Sequence, residues 1–355
     1  MINKKRILSL LLILTLAITL AGCGTNENPE EPENSETPAE GQTDEEVKVA
    51  MVTDEGGVND QSFNQSAHEG LKEAEKDLGI KVSVAESEQD SDFEPNFETL
   101  YDAGNDLIWG IGYKLSDAVL EAAETNPDQK YAIIDFAYED TPDNVVGVVF
   151  EAEQPSFLVG YIAGKMTETG KVGFIGGIEG DVIHGFDAGF QAGVKYADKD
   201  VEILRQYVED FSDAGKAKGI ATQMYSQGAD IIFHAAGAAG DGLIEAAKEQ
   251  DKWAIGVDRD QNYMAPDNVL TSAMKRVDVG VYKIVEDLLN DEYPGGETVV
   301  YGLEEEGVDI APTSDKHVPE DILKEIEEIK KLIIDGEIEV PATLEDAEKY
   351  IEELD

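Results

Sequence analysis

From Val47 onward the chain alternates short apolar runs with longer stretches in which apolar residues recur every three or four positions. The short runs are VKVAMVT (47–53), KVSVAES (81–87), DLIWGIG (106–112), KYAIID (130–135) and NVVGVVF (144–150). Between them, QSAHEGLKEAEKDLG, DFEPNFETLYDAG and SDAVLEAAETNP carry helical spacing. A second series repeats the pattern: KVGFIGG (171–177), EILRQYV (202–208), DIIFHAA (230–236), KWAIGVD (252–258) and NVLTSAM (268–274). Its helices are HGFDAGFQAGVKYA, AGKAKGIATQMYSQG and AAGDGLIEAAKEQ, and a long one follows over 277–292. Strands alternating with helices predict βαβ units and parallel sheets. Two series of similar size predict two doubly wound lobes, which bind ligands outside the carboxyl ends of their strands.

The residues just past those strand ends are therefore the candidate chemistry. The first strand is followed by DEGGVNDQSFNQSAHEG (54–70). Two glycines permit a tight turn and close backbone approach. Asn59, Asp60 and Ser62 can cap the next helix, or leave its free N–H groups aimed at a ligand. One Ser or Asp would suffice for capping, so the stretch reads as a ligand site as well as a cap. Later strand ends carry Gly112-Tyr113, Asp135, Gly176-Gly177 followed by Ile183-His184-Gly185-Phe186, Asp210-Phe211, the 237–242 Gly-rich loop, Asp258 and Lys275. Together they predict a cleft of carboxylates, glycines and rings. Carboxylates accept strong hydrogen bonds from hydroxyls, and rings can sandwich a flat base. The 237–242 loop lacks the Lys-Ser/Thr of a phosphate-binding P-loop, and an acidic cleft repels phosphate. No GxSxG occurs and the four histidines lack metal or triad spacing, so neither catalysis nor a bound metal or cofactor is expected.

Composition adds a location. Basic MINKKR precedes the apolar ILSLLLILTLAITLA, and Leu20-Ala21-Gly22-Cys23 forms a lipobox around the only cysteine. Lipidation at Cys23 is expected; the other reading is an uncleaved anchor with an incidental Cys. Residues 24–46 are rich in Glu and Pro and hold no apolar residue larger than Ala, so an extended, disordered tether is expected. The formal net charge of −50 excludes nucleic acid and anionic membrane surfaces as partners. Charge of that size also suits a saline or alkaline habitat, since salt screens it; the other reading is an acidic but otherwise ordinary surface.

The lipobox, DEGGVNDQSFNQSAHEGL, IIDF, VVFEAEQPSFLVGYIAG, KVGFIGG with GFDAGFQAG, DIIFHAAGAAGDG, AIGVD and DGEIEVP resemble the basic membrane protein family. These are substrate-binding lipoproteins whose purine-nucleoside receptors serve ABC transporters. The resemblance runs over about residues 47–341. It implies a type I periplasmic binding protein fold, with two lobes joined by a three-crossing hinge. It also implies roles: Asn59 and Asp60 lining the site from lobe one, Asp135 on the base edge, Asp258 and Lys275 on ribose hydroxyls, and Phe211 stacking on the base. His68 stands where the family has an aromatic stacker; its other reading is a solvent-facing helix residue. Phe63 reads as core.

The expected organisation is a signal peptide (1–22), the lipidated Cys and tether (23–46), lobe one (47–152 plus about 273–300), lobe two (153–272 plus about 301–315) and a C-terminal helical tail (316–355). Hinge crossings are expected at Glu153–Gln154 and near Ser272 and Tyr301. The resemblance implies a monomeric extracytoplasmic lipoprotein that binds a nucleoside for an ABC permease and its ATPase. A receptor for a sugar or other small metabolite, and a signalling lipoprotein, are the alternatives. The N-terminal segment and the absence of a basic headpiece argue against a transcription regulator.

Overall fold

The structure, a computed structural model, describes residues 46–354. The basic and apolar N-terminal segment, Cys23 and the tether through residue 45 lie outside the described residues. Among the described residues no helix is long and apolar enough to cross a membrane.

Among the described residues, twelve strands form two six-stranded sheets. Lobe one holds β1 (Lys48–Val52), β2 (Lys81–Ala85), β3 (Leu107–Gly110), β4 (Lys130–Ile134), β5 (Val145–Phe150) and β11 (Thr298–Tyr301), in the order β11-β5-β4-β3-β1-β2. Lobe two holds β6 (Lys171–Gly176), β7 (Glu202–Tyr207), β8 (Ile231–Ala235), β9 (Trp253–Asp258), β10 (Val269–Lys275) and β12 (Val308–Ile310), in the order β12-β10-β9-β8-β6-β7. The two sheets are the same winding written twice. Only β12 runs antiparallel to its neighbour. The central strands are apolar without alternation because helices cover both faces. Val49–Val52, Leu107–Gly110 and Ile231–Ala235 are buried throughout.

In lobe one, α1 (Phe63–Leu78) and α8 (Val277–Leu289) cover one face, and α2 (Phe93–Asp102) and α3 (Ser116–Thr125) the other. In lobe two, α4 (Glu153–Met166) and α5 (Asp181–Ala197) oppose α6 (Ala214–Ser226) and α7 (Asp241–Gln250). The α4–α5 crossing is backbone against backbone. A Cβ at Gly189 would lie 2.1 Å from the Glu153 carbonyl, at Gly193 2.0 Å from that of Phe157, and at Gly160 2.4 Å from that of Phe190. The glycines of VGYIAG and GFDAGFQAG thus let two helices touch where any side chain would hold them apart.

The chain crosses between lobes three times: after β5, between β10 and α8, and after β11. At the first and third crossings Gln154 donates to Glu151 Oε2 (2.6 Å) and accepts from the Leu303 amide (2.8 Å). The second crossing falls at Arg276 rather than near Ser272, because β10 continues in lobe two through Lys275. The C-terminal residues are part of lobe two. Ile322, Ile326, Ile329 and Ile333 on α9 (Glu320–Ile334) join its core at helical spacing. Tyr350 on α10 (Leu344–Glu353) packs edge-on against Phe157, with centroids 6.2 Å apart.

Candidate functional site

The strand ends of both sheets face each other across a cavity with about 590 Å³ of atom-free space, part of it continuous with solvent. Asp60, Asp135, Phe211, Gly237, Asp258 and Lys275 line it together, with Gly112, Tyr113, Ile183 and Phe186 from the other strand ends named above.

The loop after β1 combines capping with a cavity wall. Asp60 accepts from the amides of Ser62 (3.0 Å), Asn64 (2.8 Å) and Gln65 (3.0 Å), satisfying the start of α1. Asn64 then links two carboxylates, its Nδ2 donating to Asp54 (2.8 Å) and Asp60 (3.1 Å). Its Oδ1 is buried without a partner beside the cavity. The loop is rich in polar residues because it builds a three-residue network, Asp54–Asn64–Asp60, as well as a helix start. Asn59 takes no part in the cavity. It is exposed, and its carbonyl accepts from Gln61.

Asp135 follows β4 and Asp258 ends β9, the same position in each sheet. Both sit in left-handed backbone, at φ 64° and 62°. Non-glycine residues hold that conformation at a cost of about 1 kcal/mol or more, and such strain clusters at functional sites. Each takes a partner from the opposite lobe. Lys275 of lobe two pairs with Asp135, and Ser62 of lobe one donates to Asp258. The Lys275 ammonium is buried among rings, 4.7 Å from the centroid of Phe63, 5.5 Å from Phe186 and 5.7 Å from Phe150. These distances suit cation–π attraction.

Phe211 packs closely against two glycines. A Cβ at Gly177 would fall 2.2 Å from its ring, and Gly237, at φ 54°, also abuts it. Tyr113 meets Phe211 edge-on at 6.3 Å and 75°. Its hydroxyl is buried without a partner, and burial pushes its pKa up to about 12. Phe63 packs against the lobe-one core, as expected, and also lines the cavity. His68 does not line it. Five residues further along α1, it is turned about 140° from Phe63 at 100° per residue. It is half-buried, and burial with nearby Lys72 lowers its pKa.

Burial pushes Asp54 and Asp258 up to about 6 each. Hydrogen bonds from Gly56 and Asn64 oppose the rise at Asp54; Lys275 and Ser62 oppose it at Asp258. Burial also raises Asp60. Four lining carboxylates thus share one ammonium, that of Lys275 on Asp135, since the other lining lysine, Lys114, is paired with Glu55 (2.7 Å) and Asp90 (2.9 Å) outside the cavity lining. Unpartnered acceptors, rings and a negative field suit a flat, uncharged guest that donates hydrogen bonds.

Asp54, Phe63 and Asn64 line the cavity without having been given a binding role from the sequence. Asp54 carries the same signal as Asp135 and Asp258, a carboxylate directly after an apolar strand.

Two parallel-sheet lobes joined by three crossings over a shared cavity define a type I periplasmic binding fold, the class of bilobed solute receptors. A solute-binding protein of an ABC transporter system from Aeropyrum pernix K1 has this structure, at a TM-score of 0.79 and 29% identity, over 87% of this chain and 97% of that one. The family described as ABC transporter substrate-binding protein PnrA-like, Bmp, matches residues 47–344, and the chain belongs to it. Relatives include basic membrane protein A of Borreliella afzelii, 44% identical over 86% of this chain and 95% of its own length. The CD4+ T-cell-stimulating antigen of Listeria innocua is 39% identical over 95% of this chain and 99% of its own.

Proposed function

We propose that this ABC transporter substrate-binding protein captures a nucleoside, of the purine class, between its lobes and delivers it to an ABC permease and its ATPase. It does so as a monomer on the extracytoplasmic face, held to the membrane by lipid on Cys23. No bond of the ligand is made or broken. The observation that carries the reading is the pairing of ring walls with carboxylate ends in one cavity. Phe63 and Phe211 offer faces to a flat base, while Asp54, Asp135 and Asp258 offer acceptors to amino and hydroxyl groups. Lys275 offsets one negative charge without leaving a free site for phosphate. The negative cavity therefore favours the nucleoside over its phosphorylated forms.

Titration calorimetry on the full chain with inosine, guanosine, adenosine, the free bases and ribose tests this. Tight binding of the purine nucleosides, with bases and ribose each far weaker, is expected. Ribose or another sugar binding more tightly than any nucleoside would replace the proposal with a sugar receptor. Mass spectrometry of whatever co-purifies gives an independent identification.

A further inference from the structure

Beside the cavity, residues 258–263 of lobe two meet residues 61–69 of lobe one at several points. Ser62 donates to Asp258, the Tyr263 hydroxyl to Gln61 Oε1, and Arg259 to both oxygens of Glu69 at 2.8 Å. The Arg259 and Tyr263 contacts are exposed to solvent. A further contact is different. Gln261 is fully buried, and its Nε2 donates to the Gln61 carbonyl at 3.1 Å.

The orientation of that amide is dictated within lobe two. Gln261 Oε1 accepts from the Val257 amide at 3.1 Å and faces His234 Nε2 at 3.0 Å. An amide oxygen only accepts, so His234 must carry its proton on Nε2. Its Nδ1 has no partner, and the ring is completely buried. Burial lowers its pKa to about 4, which keeps it neutral in that tautomer. With Oε1 committed to lobe two, the amide nitrogen can only point at lobe one. The seat is fitted to these side chains. A Cβ at Gly256 would lie 2.5 Å from Gln261 Oε1, and one at Gly240 1.9 Å from the His234 ring. On the receiving side, Gln61 holds left-handed backbone at φ 56°, which is disfavoured for its type.

We propose that Gln261 is a positioning residue for ligand capture: braced by His234, its amide engages the Gln61 carbonyl on closure and sets Ser62 against Asp258. The exposed contacts of Arg259 and Tyr263 follow closure; the buried amide defines it. Opening leaves the Gln261 N–H groups and the Gln61 carbonyl to water, and frees one oxygen of Asp258. The inference rests on capture by lobe closure, not on which guest fills the cavity.

The test uses the full chain with Cys23→Ser and nitroxide labels at Glu88→Cys and Lys216→Cys. These exposed positions follow β2 and β7, the strands farthest from the crossings. Pulsed electron paramagnetic resonance then reads the closed and open populations, with and without inosine as probe. In Gln261→Ala, loss of one buried hydrogen bond should lower the closed-to-open ratio about tenfold. In Gln261→Glu, a protonated carboxyl can still donate to Gln61, whereas a carboxylate cannot. That variant should be closed near pH 5 and open near pH 8, with a change larger than the parent shows. Reversal within one sample cannot come from misfolding. Parent-like distances in both variants at both pH values would overturn the proposal. If the substitutions open the lobes while inosine shifts nothing in the parent, the clasp stands and the nucleoside assignment falls. If inosine closes the parent and the variants alike, the assignment stands and the clasp falls.

Discussion

The two lobes share one winding but divide the work at their strand ends. In lobe one the loop after the first strand is a polar network, Asp54–Asn64–Asp60. In lobe two the equivalent stretch after β6 meets the cavity with glycine and apolar groups: Gly177 under Phe211 in the loop, then Val182, Ile183 and Phe186 on the first turns of α5. The fourth strands are where the lobes agree. Both end in a left-handed aspartate, and each aspartate is completed by a side chain from the other lobe. A site built this way is whole only when the lobes meet. A duplicated fold has thus yielded two unlike walls and one shared device.

Breaking the reciprocal pairs should have the largest effect. Lys275→Ala leaves Asp135 buried in the closed form without its cation, at a cost of about 3 kcal/mol or more. Inosine affinity measured by calorimetry should fall about a hundredfold or further. Retained affinity would show that closure does not need the pair. Phe63→Ala removes a ring wall from lobe one, where stacking on a base contributes about 2 kcal/mol. A loss of about thirtyfold is expected, while an unchanged Kd would return Phe63 to the core.

The polar network is probed through pH. The folded-state pKa of Asp54, about 6, lies above its ordinary 3.8, so the native form binds this proton more tightly than the unfolded chain. Stability therefore falls as pH rises through that interval, and the penalty is complete above it. Asp54→Asn keeps the acceptor for Gly56 and Asn64 but removes the charge. It should raise unfolding stability by on the order of 1–2 kcal/mol at pH 7.5 and leave it unchanged near pH 4, read by urea denaturation. Equal effects at both pH values would assign the change to packing.

Asp258→Asn tests the lobe-two member more gently. Ser62 can still donate to the amide oxygen, but the charge-assisted bond to a guest hydroxyl is lost, for about 1 kcal/mol and about fivefold in Kd. The smallest effect belongs to His68→Ala, which should change inosine affinity less than about twofold, since the imidazole faces away from the cavity. A larger loss would restore it as a stacker.

The two-lobed architecture was legible because the central parallel strands, covered by helices on both faces, are continuously apolar and alternate with stretches of helical spacing. Asp135, Asp258 and Lys275 were legible for the same reason, as polar residues placed directly after those runs. The first loop was less so. Asn59 and Asp54 are equally polar, but the turn at Gly56–Gly57, where Gly57 has φ 63°, leaves one outside and tucks the other beneath α1. Phe63 and His68 share a helix, and only the rotation between them tells which faces inward. Least legible were the contacts between lobes. Nothing local in Ser62 points to Asp258, or in Gln61 to Gln261, because such pairs exist only once two separate sheets have been brought face to face.

The glycine crossing of α4 and α5 bears on mechanics. Helices locked main chain to main chain cannot slide or splay, so lobe two behaves as a stiff lever. Bending between the lobes is then concentrated in the three short connections, and a guest that moves one wall moves the lobe as a body. A receptor that reports occupancy to a membrane partner by its shape needs that stiffness as much as it needs its binding groups.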